Sequence, residues 1–451
     1  MASTPSLISS PTMRLPKPNL IAIIGTTGVG KSKLSVALAR QLNGEIINGD
    51  SMQMYHGLDT ITNKHPVPER HGIPHHLLGH ITDRSYEYGL PQFEHEAAKV
   101  VDDIHARGKF PILVGGTHYY IQSFLIQNMT VASSSESKDL TEGQVQFLDE
   151  CDTDELFAKL KEVDPLIASK FHPRDRRKLR RALEICWTTG RKTSDIYAEQ
   201  KQRSQTQKTG LARYRTLVFW VWSGLDALNP RLHARVDDMV NKGNLLQEVK
   251  EMSELYRSLD PEPELDRGIW QVIGFKEFLP YLESGKDEDR EKGLQDMKRA
   301  TVKYATTQIR WIKRKWLTAA AGAGNDITTV LLDASDLSRW DENVEQPAAE
   351  IASQFLSGQE IDLARLVPAG LEDVVQPGQE SDNSARPEAW KHYECDICKD
   401  EGGKFVCVGE ERWTIHLRSR RHRQSLRHLK EREAYERWKA SLVAKLDKQS
   451  A

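Results

Sequence analysis

The chain has 451 residues, about three times the length of a common single domain, so we expect more than one folded unit. Hydrophobic residues make up 38% and charged residues 28% of the sequence, a balance typical of a globular protein. Lysine and arginine number 63 against 65 acids, so the formal net charge of -2 excludes a uniformly basic protein but allows a local basic surface. Five cysteines exclude a disulfide scaffold, and no apolar run is long enough to predict a membrane partner.

The first 17 residues predict a disordered tail or a targeting segment. Residues 1–20 are rich in serine and threonine and contain Arg14 and Lys17 without an acid, as in a weak mitochondrial transit peptide. Met13 offers a second start that would delete most of this tail. We therefore expect the protein in the cytoplasm and in mitochondria, and the nucleus stays open as a further compartment.

Alternating strand and helix patterns predict an α/β core over residues 18–127 and 206–335. Short apolar runs predict strands over Leu20–Ile24, Glu45–Asn48, Phe110–Val114, Tyr214–Trp222 and Thr328–Leu332. Helical spacing predicts helices over Lys31–Leu42, around Phe93–Ala106 and from Pro230 to about Trp316. Strands that alternate with helices favour a parallel sheet covered on both faces.

Changes in composition divide the rest of the chain. Residues 128–205 predict a helical insertion, although residues 128–150 are polar, rich in serine and typical of a loop. Residues 360–390 contain an excess of acids and three prolines, which predicts a linker in the region 336–390. A zinc-finger module is expected over residues 391–435, with a helix or tail over residues 436–451.

Residues 25–32 match the phosphate-binding pattern GxxxxGK[ST] between an apolar strand and an amphipathic helix, which is the context that this P-loop motif needs. Backbone N–H groups of such a loop close on a phosphate, while the lysine supplies positive charge and the last hydroxyl serves Mg²⁺. The candidate phosphate-binding residues are Gly25, Thr26, Thr27, Gly28, Val29, Gly30, Lys31 and Ser32, and Ser32 is the candidate Mg²⁺ ligand.

A P-loop by itself indicates an ATP-dependent kinase or NTPase, and two features argue against that function. The third predicted strand, Phe110–Val114, does not end in the acid of a Walker B element, because Gly115 and Gly116 follow it. The second strand places Asp50 at the carboxyl edge of the sheet, where ligands bind and a carboxylate could accept a proton. Some small-molecule kinases also use an acid there, and a helix-capping role for Asp50 stays open.

Ordered sequence blocks over residues 20–316 resemble those of the tRNA dimethylallyltransferases, also called tRNA isopentenyltransferases. Each block is weak alone, but their order and spacing make the resemblance specific. The blocks are Gly25–Ser32, Asn48–Tyr55, Gly115–Tyr120, His172–Arg177, Arg231–Asp237, Gly268–Glu277 and Tyr304–Gln308. The C-terminal finger resembles that of the eukaryotic members.

The resemblance implies transfer of a dimethylallyl group from dimethylallyl diphosphate to the exocyclic amine of the adenosine 3′ of the tRNA anticodon. The P-loop then binds the diphosphate leaving group, assisted by Mg²⁺, in a monomeric enzyme. By the same resemblance, Asp50 is the general base, Thr27 contacts the diphosphate and Arg235 binds phosphate oxygens. Gln53 resembles the residue that recognises the edge of the flipped-out base.

Two basic segments predict surfaces that face RNA. Arg174–Arg181 has one acid among its basic residues, and residues 298–316 contain no acid. Such runs are often only solvated faces, but helical spacing places the basic residues of the second segment on one face, as phosphate binding requires. With the resemblance, the candidate tRNA-binding residues are Asp50, Ser51, Gln53, Arg174, Arg176, Arg177, Arg180, Gln271, Lys276, Arg299, Lys303, Arg310 and Arg314.

The C-terminal module predicts a Cys₂His₂ zinc site. Two thiols in Cys395-x2-Cys398 are followed, after 17 residues, by two imidazoles in His416-x5-His422. Cys407 stays open as a substitute ligand, as does His428. The long spacing is more typical of RNA-binding fingers than of DNA-binding ones, so we expect the arginines of the finger to contact tRNA phosphates.

Two other functions stay open beside prenyl transfer. The first is an ATP-dependent small-molecule kinase in which Asp50 accepts a hydroxyl proton. The second is a non-catalytic RNA-binding protein with an inactive P-loop domain, and the intact Lys31, Ser32 and Asp50 argue against it.

Overall fold

A computed structural model describes residues 17–127, 138–206, 212–359, 361, 366–376, 390–400 and 403–449. The chain divides into two compact units, one with residues 1–130 and 204–379, the other with residues 131–203 and 380–451. Nearly all of the predicted N-terminal tail, and residues 377–389 of the predicted linker, lie outside the described residues. Within these ranges, none of the helices combines the length and apolar character needed to cross a membrane.

The described residues form strands and α-helices that we number in chain order. The strands are β1 (Asn19–Gly25), β2 (Gly44–Asn48), β3 (His75–His76), β4 (Phe110–Val114), β5 (Arg215–Trp222), β6 (Ile327–Asp333), β7 (His392–Asp400) and β8 (Gly403–Val408). The helices are α1 (Lys31–Gln41), α2 (Leu90–Ala106), α3 (His118–Leu125), α4 (Glu142–Glu150), α5 (Thr153–Val163), α6 (Pro165–Lys170), α7 (Arg176–Thr189), α8 (Thr193–Thr206), α9 (Leu225–Asn241), α10 (Leu245–Ser258), α11 (Phe275–Ser284), α12 (Asp287–Trp311), α13 (Leu317–Gly322), α14 (Gln346–Ser357), α15 (Glu410–Arg418) and α16 (Arg420–Gln449).

The sheet of the first unit consists of six parallel strands in the order β3-β2-β4-β1-β5-β6. All five strands predicted from apolar runs are present, and β3 adds a two-residue edge strand. Along β1, Leu20, Ala22 and Ile24 pack into one apolar cluster, whereas Ile21 and Ile23 pack into another. Because alternate residues of a strand point to opposite faces, both faces of the sheet are covered, and the predicted α/β fold is confirmed.

Residues 336–357 differ from the linker predicted for the region 336–390. After a π-helical turn at Asp341–Glu345, α14 packs on the sheet and joins the same apolar cluster as α1. Its buried residues are Ala348, Ile351, Ala352 and Phe355. They follow the i, i+3, i+4, i+7 spacing of an amphipathic helix, so the sequence does contain the pattern of a helix here. The linker prediction rested instead on the acidic composition after residue 360.

Residues 138–150 also differ from the predicted loop, whereas residues 128–137 lie outside the described part of the chain. Thr141 and Gln144 form a capping box that begins α4, and Leu148 is fully buried in the core of the second unit. A capping box satisfies two backbone N–H groups that a helix start leaves unpaired. This local hydrogen bonding, with one buried leucine, is enough to order a polar segment.

The second unit has its own small apolar core. Leucines from α4, α5 and α7 form it, and β7 pairs with β8 as an antiparallel hairpin ahead of α15 and α16. The helical insertion predicted over residues 128–205 therefore has an independent apolar centre among the described residues.

We expect Ile351→Ala to destabilise the first unit by about 2–5 kcal/mol, since it leaves a cavity in a packed core. Ser353→Ala, at an exposed position on the same helix, should change the free energy of unfolding by less than about 0.5 kcal/mol. Urea unfolding followed by tryptophan fluorescence measures both. Equal unfolding midpoints for the two variants would mean that α14 is a linker after all.

Candidate active site and metal centre

Three strand ends meet at one edge of the parallel sheet. The register places Asn48 of β2 beside Val114 of β4, and Val114 beside Ile23 of β1. The P-loop follows β1, Asp50 follows β2, and Gly115 follows β4, so all three segments line one cavity of about 680 Å³. A cavity of this size suits a small ligand with a few well-placed polar contacts.

Two glycines give the P-loop its path. Gly28 has a φ of +84° and Gly30 a φ of +93°, values that residues with a side chain rarely adopt. A Cβ at Gly28 would lie 2.6 Å from Leu232, and one at Gly30 would lie 2.6 Å from Trp340. Helix α1 begins at Lys31, within the P-loop motif, and has no acid in its first turn, so its N–H groups and dipole favour an anion.

Two partly buried cations lie against the P-loop. The Lys31 ammonium donates to the carbonyl of Thr26 over 2.7 Å. Desolvation lowers the pKa of Lys31 to about 8, and it outweighs the opposing attraction of Asp50. Burial likewise lowers the pKa of Arg235 to about 10. Both cations lose hydration in the cavity, so an anionic ligand would interact with them strongly.

Thr27 is oriented by Arg235, whose guanidinium donates to the threonine hydroxyl over 2.8 Å. Because that hydroxyl already accepts a hydrogen bond, its own hydrogen stays available for a ligand in the cavity. The Nε of Arg235 and the hydroxyl of Thr26 are buried and have no hydrogen-bond partner among the described residues. Buried polar groups are normally satisfied and Arg235 lines the cavity, so its unpaired Nε indicates a site built for a polar ligand.

Asp50 presents a partly buried carboxylate to the same cavity. It accepts a hydrogen bond from the N–H of Met52 over 3.1 Å and further ones from Gly116 and Gln53. Desolvation raises the pKa of Asp50 despite these bonds and the nearby Lys31 charge. The bond from Met52 also caps a 3-10 turn, so the capping and cavity-facing roles coexist, and the carboxylate is suited to accept a proton.

The glycines after β4 explain why no Walker B acid stands there. A Cβ at Gly115 would lie 2.3 Å from the carbonyl of Gly49, closer than any real Cβ contact. The chain that follows β2 therefore crosses directly over the end of β4. An aspartate at this position would displace the segment that carries Asp50.

Four of the five predicted RNA-contacting residues of the cavity region line the cavity: Asp50, Ser51, Gln53 and Gln271. Ser51 donates its N–H to the hydroxyl of Thr117 over 3.0 Å. The side-chain amide of Gln53 donates to two carbonyls of the loop at residues 62–63, over 3.1 and 3.0 Å. Lys276 is exposed on α11 and does not line the cavity.

The basic face of α12 and of the π-helical turn that continues it, Ile312–Trp316, is exposed. Lys303, Arg310 and Arg314 are exposed and make no ion pair within the described ranges, whereas Arg299 pairs with Asp296. The opposite face is buried through Ala305, Ile312 and Trp316. One face therefore packs on the core and the other presents positive charge to solvent.

The four arginines predicted for RNA binding in the insertion have different environments. Arg176 and Arg180 donate to carbonyl groups at the C-terminal end of α4. Arg174 forms an ion pair with Asp400 of β7. Arg177 is exposed, and no ion pair involves it in the part of the chain that the structure describes. Arg177 is therefore the member of this group best placed to meet a phosphate.

Histidine contacts join the zinc-finger hairpin to the insertion within the second unit. His172 donates from Nε2 to the carbonyl of Val406 over 2.9 Å, and His392 donates from Nε2 to the carbonyl of Phe171 over 3.0 Å. The ring of His392 also lies 5.5 Å from that of Phe157. Together with the Arg174 ion pair, these contacts make the finger part of the insertion's fold.

The four predicted zinc ligands converge. The thiols of Cys395 and Cys398 and the imidazoles of His416 and His422 lie within 4.8 Å of one another, and all four residues are buried. The Nε2 of His416 is buried without a hydrogen-bond partner among the described residues. Two thiolates and two imidazoles are the usual ligands of structural Zn²⁺, so the residues fit this metal. Cys407 is not in the cluster.

Residues from distant segments complete the site, and the sequence had suggested no role for them. Gln308 of α12 contacts both Thr27 and Gly116. Glu248 of α10 accepts from two backbone N–H groups at residues 60–61, over 2.9 and 2.7 Å, and so orders a loop that lines the cavity. Gln308 lies in one of the family-like blocks, which was a usable signal, whereas Glu248 had none.

Comparison with known proteins gives consistent results. The family model described as IPP transferase matches residues 53–315, more than half of the chain. The chain is 43% identical over 426 residues to the tRNA dimethylallyltransferase of Saccharomyces cerevisiae, which covers 93% of this chain and 95% of that relative. It is 38% identical over 427 residues to the corresponding protein of Schizosaccharomyces pombe, covering 92% and 96%.

A solved structure is also similar. Crystallographic snapshots of a eukaryotic dimethylallyltransferase acting on tRNA match with a TM-score of 0.75 and 42% identity, over 94% of this chain and all of that one. The similarity therefore extends beyond the P-loop core to most of the second unit's length.

We expect Cys398→Ser to abolish zinc binding, since it removes one of four ligands from a buried tetrahedral site. Cys407→Ser is the matched control, a buried thiol of the same module outside the ligand cluster. Elemental analysis of the purified full-length proteins should find about one zinc per chain in the wild type and the control. Equal zinc in both variants would contradict the ligand assignment.

Proposed function

Since the chain belongs to the IPP transferase family, we propose that it transfers a dimethylallyl group from dimethylallyl diphosphate to the exocyclic amine of the adenosine 3′-adjacent to the tRNA anticodon, releasing diphosphate. It is an enzyme of this family, and the small-molecule kinase alternative is set aside. The observation that carries the mechanism is the shared cavity, which Asp50 lines together with Lys31 of the P-loop and Arg235 of α9.

The reaction breaks the bond between the allylic carbon and the diphosphate oxygen and forms a bond from that carbon to the adenine amine nitrogen. Negative charge accumulates on the departing diphosphate. The Lys31 ammonium, the Arg235 guanidinium and the free hydrogen of the Thr27 hydroxyl are preorganised to stabilise it. The amine loses a proton as it is alkylated, and the carboxylate of Asp50 accepts it.

The P-loop hydroxyl of Ser32 lies in the cavity lining. A hydroxyl together with diphosphate oxygens is the hard oxygen donor set that Mg²⁺ prefers, so Ser32 fits the predicted metal contact. When bound, Mg²⁺ supplies charge neutralisation on the leaving group. Lys31, Arg235 and Thr27 act on the diphosphate directly and not through Mg²⁺.

Apolar side chains in the cavity lining suit the five-carbon chain of the donor. They come from loops and helices outside the P-loop, namely Ile61, Val236, Met239, Val272, Ile273 and Met297. Burying apolar groups of this size against such a lining is favourable, and it excludes water from an allylic centre that water would otherwise attack.

The tRNA anticodon stem-loop is the proposed acceptor. The exposed basic face of α12 and the exposed Arg177 suit its phosphates, and Gln53 and Ser51 lie in the cavity where the target base would enter. All groups assigned to the chemistry belong to one unit of one chain, which supports action as a monomer.

We expect Asp50→Asn to lower the transfer rate about 10²–10⁴-fold, because the amide cannot accept the amine proton. Affinity for an anticodon stem-loop should stay within a few-fold. The test incubates full-length enzyme with dimethylallyl diphosphate, Mg²⁺ and the stem-loop, and measures the modified nucleoside by mass spectrometry. Asp102→Asn, at an exposed position on α2, is the matched control.

The rate should also depend on pH in a bell shape. It rises as pH passes through the raised pKa of Asp50, since only the carboxylate accepts a proton, and kcat/KM for the donor falls above about pH 8 as Lys31 loses its charge. In the mass-spectrometry test of the preceding paragraph, RNA left unmodified by the wild type, or full activity of Asp50→Asn, would contradict the proposal.

We expect Arg177→Ala to weaken stem-loop binding and to reduce the slope of log K against log salt by about 0.7–0.9, as expected for one lost phosphate contact. Arg174→Ala should lower the thermal stability of the second unit instead, because it breaks the ion pair with Asp400. Fluorescence anisotropy across a salt series and thermal unfolding separate the two effects. Identical salt slopes for Arg177→Ala and the wild type would remove this residue from the RNA surface.

A further inference from the structure

Gln308 connects two walls of the cavity through its side-chain amide. It lies on α12 and is 4% exposed. Its Oε1 accepts the backbone N–H of Thr27 over 2.8 Å. Its Nε2 donates to the backbone carbonyl of Gly116 over 2.9 Å. Both ends of one planar group are therefore used, each on a different segment of the site.

Each contact fixes a segment with its own chemical role. Thr27 carries the hydroxyl that Arg235 orients towards the leaving group. Gly116 contributes a backbone N–H to the carboxylate of Asp50. A Cβ at Gly116 would lie 2.8 Å from the Gln308 amide nitrogen and 3.0 Å from Asp50 Oδ2, so the amide, the glycine and the carboxylate are in direct succession.

We propose that Gln308 is a positioning residue that sets the separation between the leaving-group wall at Thr27 and the proton-accepting wall at Asp50. The proposal rests on the proposed function. In this alkyl transfer, the nucleophile attacks one side of a carbon and is deprotonated there, while the leaving group departs from the opposite side. The reaction therefore depends on the distance between the two walls. Small displacements of reacting groups cost large factors in rate.

A glutamine is the side chain that these two contacts require. One end must accept from an N–H group and the other must donate to a carbonyl. A methionine of similar length fills the space but makes neither bond. An asparagine carries the same amide but is one methylene shorter, so it cannot span both partners.

The charged and titratable groups around Asp50 come from three helices. Lys31 faces it from α1, Tyr304 from α12, and Arg235 of α9 acts on Lys31. Gln308 is neutral, so its replacement by a neutral residue changes none of these charges. Gln308 also hydrogen-bonds the hydroxyl of Tyr304, so a change in the pH at which Asp50 titrates would report movement of the Gly116 N–H together with that of Tyr304.

The experiment compares Gln308→Met with Gln122→Met in the full-length enzyme under single-turnover conditions. Gln122 is 2% exposed on α3 and does not line the cavity, so it controls for loss of a buried amide. We expect Gln308→Met to lower the rate of transfer about 10²-fold. KM for dimethylallyl diphosphate and stem-loop affinity should change much less, and Gln122→Met should keep the wild-type rate.

The acidic limb of the pH–rate profile supplies the second measurement. Without the Gly116 N–H, the charged form of Asp50 loses a donor, so the pKa rises and the limb moves to higher pH in Gln308→Met. If Gln308→Met does not fold, Gln308→Asn takes its place, with the same expected shift.

The outcomes separate this inference from the proposed function. Absence of transfer by the wild type would overturn the proposed function and this inference with it. Active wild type with equal rates for Gln308→Met and Gln122→Met would overturn the positioning role alone. Loss of rate and binding together, with an unmoved acidic limb, would also overturn it, since that pattern follows from a general structural defect.

Discussion

The close passage of two backbones at the ends of β2 and β4 determines the character of the site. A Cβ at Gly115 would overlap the carbonyl of Gly49, so Gly115 cannot give way to the acid that NTPases place after such a strand. The segment that carries Asp50 instead passes over the end of β4 at the sheet edge and reaches the P-loop cavity. The P-loop cavity thus receives, from the segment after β2, a carboxylate suited to accept a proton, and it has a glycine rather than an acid after β4.

Desolvation then sets the electrostatics of the cavity. Lys31 and Arg235 both have lowered pKa values because they are partly buried, and Asp50 has a raised one for the same reason. A diphosphate brings negative charge to these cations and meets donors already in place, so little reorganisation accompanies its departure. The same partial burial that costs stability in the free protein prepares the site for an anion and for a proton.

The second unit shows that basic residues in a run can differ in purpose. Arg174, Arg176 and Arg180 form internal bonds, two of them at the end of α4 and one with the finger hairpin. Arg177 is left facing solvent. A finger attached in this way is part of the insertion, so a zinc ion held by its four buried Cys and His residues would support the whole unit. A run of basic residues in the sequence indicates a possible RNA-binding surface. The internal hydrogen bonds and ion pairs of the fold decide which of those side chains stay available to bind RNA.

By itself, the sequence determined the parallel sheet, the P-loop, the position of Asp50 at a strand end and the zinc ligands, because each depends on short-range spacing. Tertiary structure decided the rest. Gln308 reaches Thr27 across 281 positions of sequence, and no local pattern encodes such a contact. Composition likewise misassigned α14, whose buried face has meaning only against α1 and the sheet. Short-range hydrogen bonding and periodicity are written along the chain, whereas the pairing of distant surfaces depends on packing that exists only once the chain has folded.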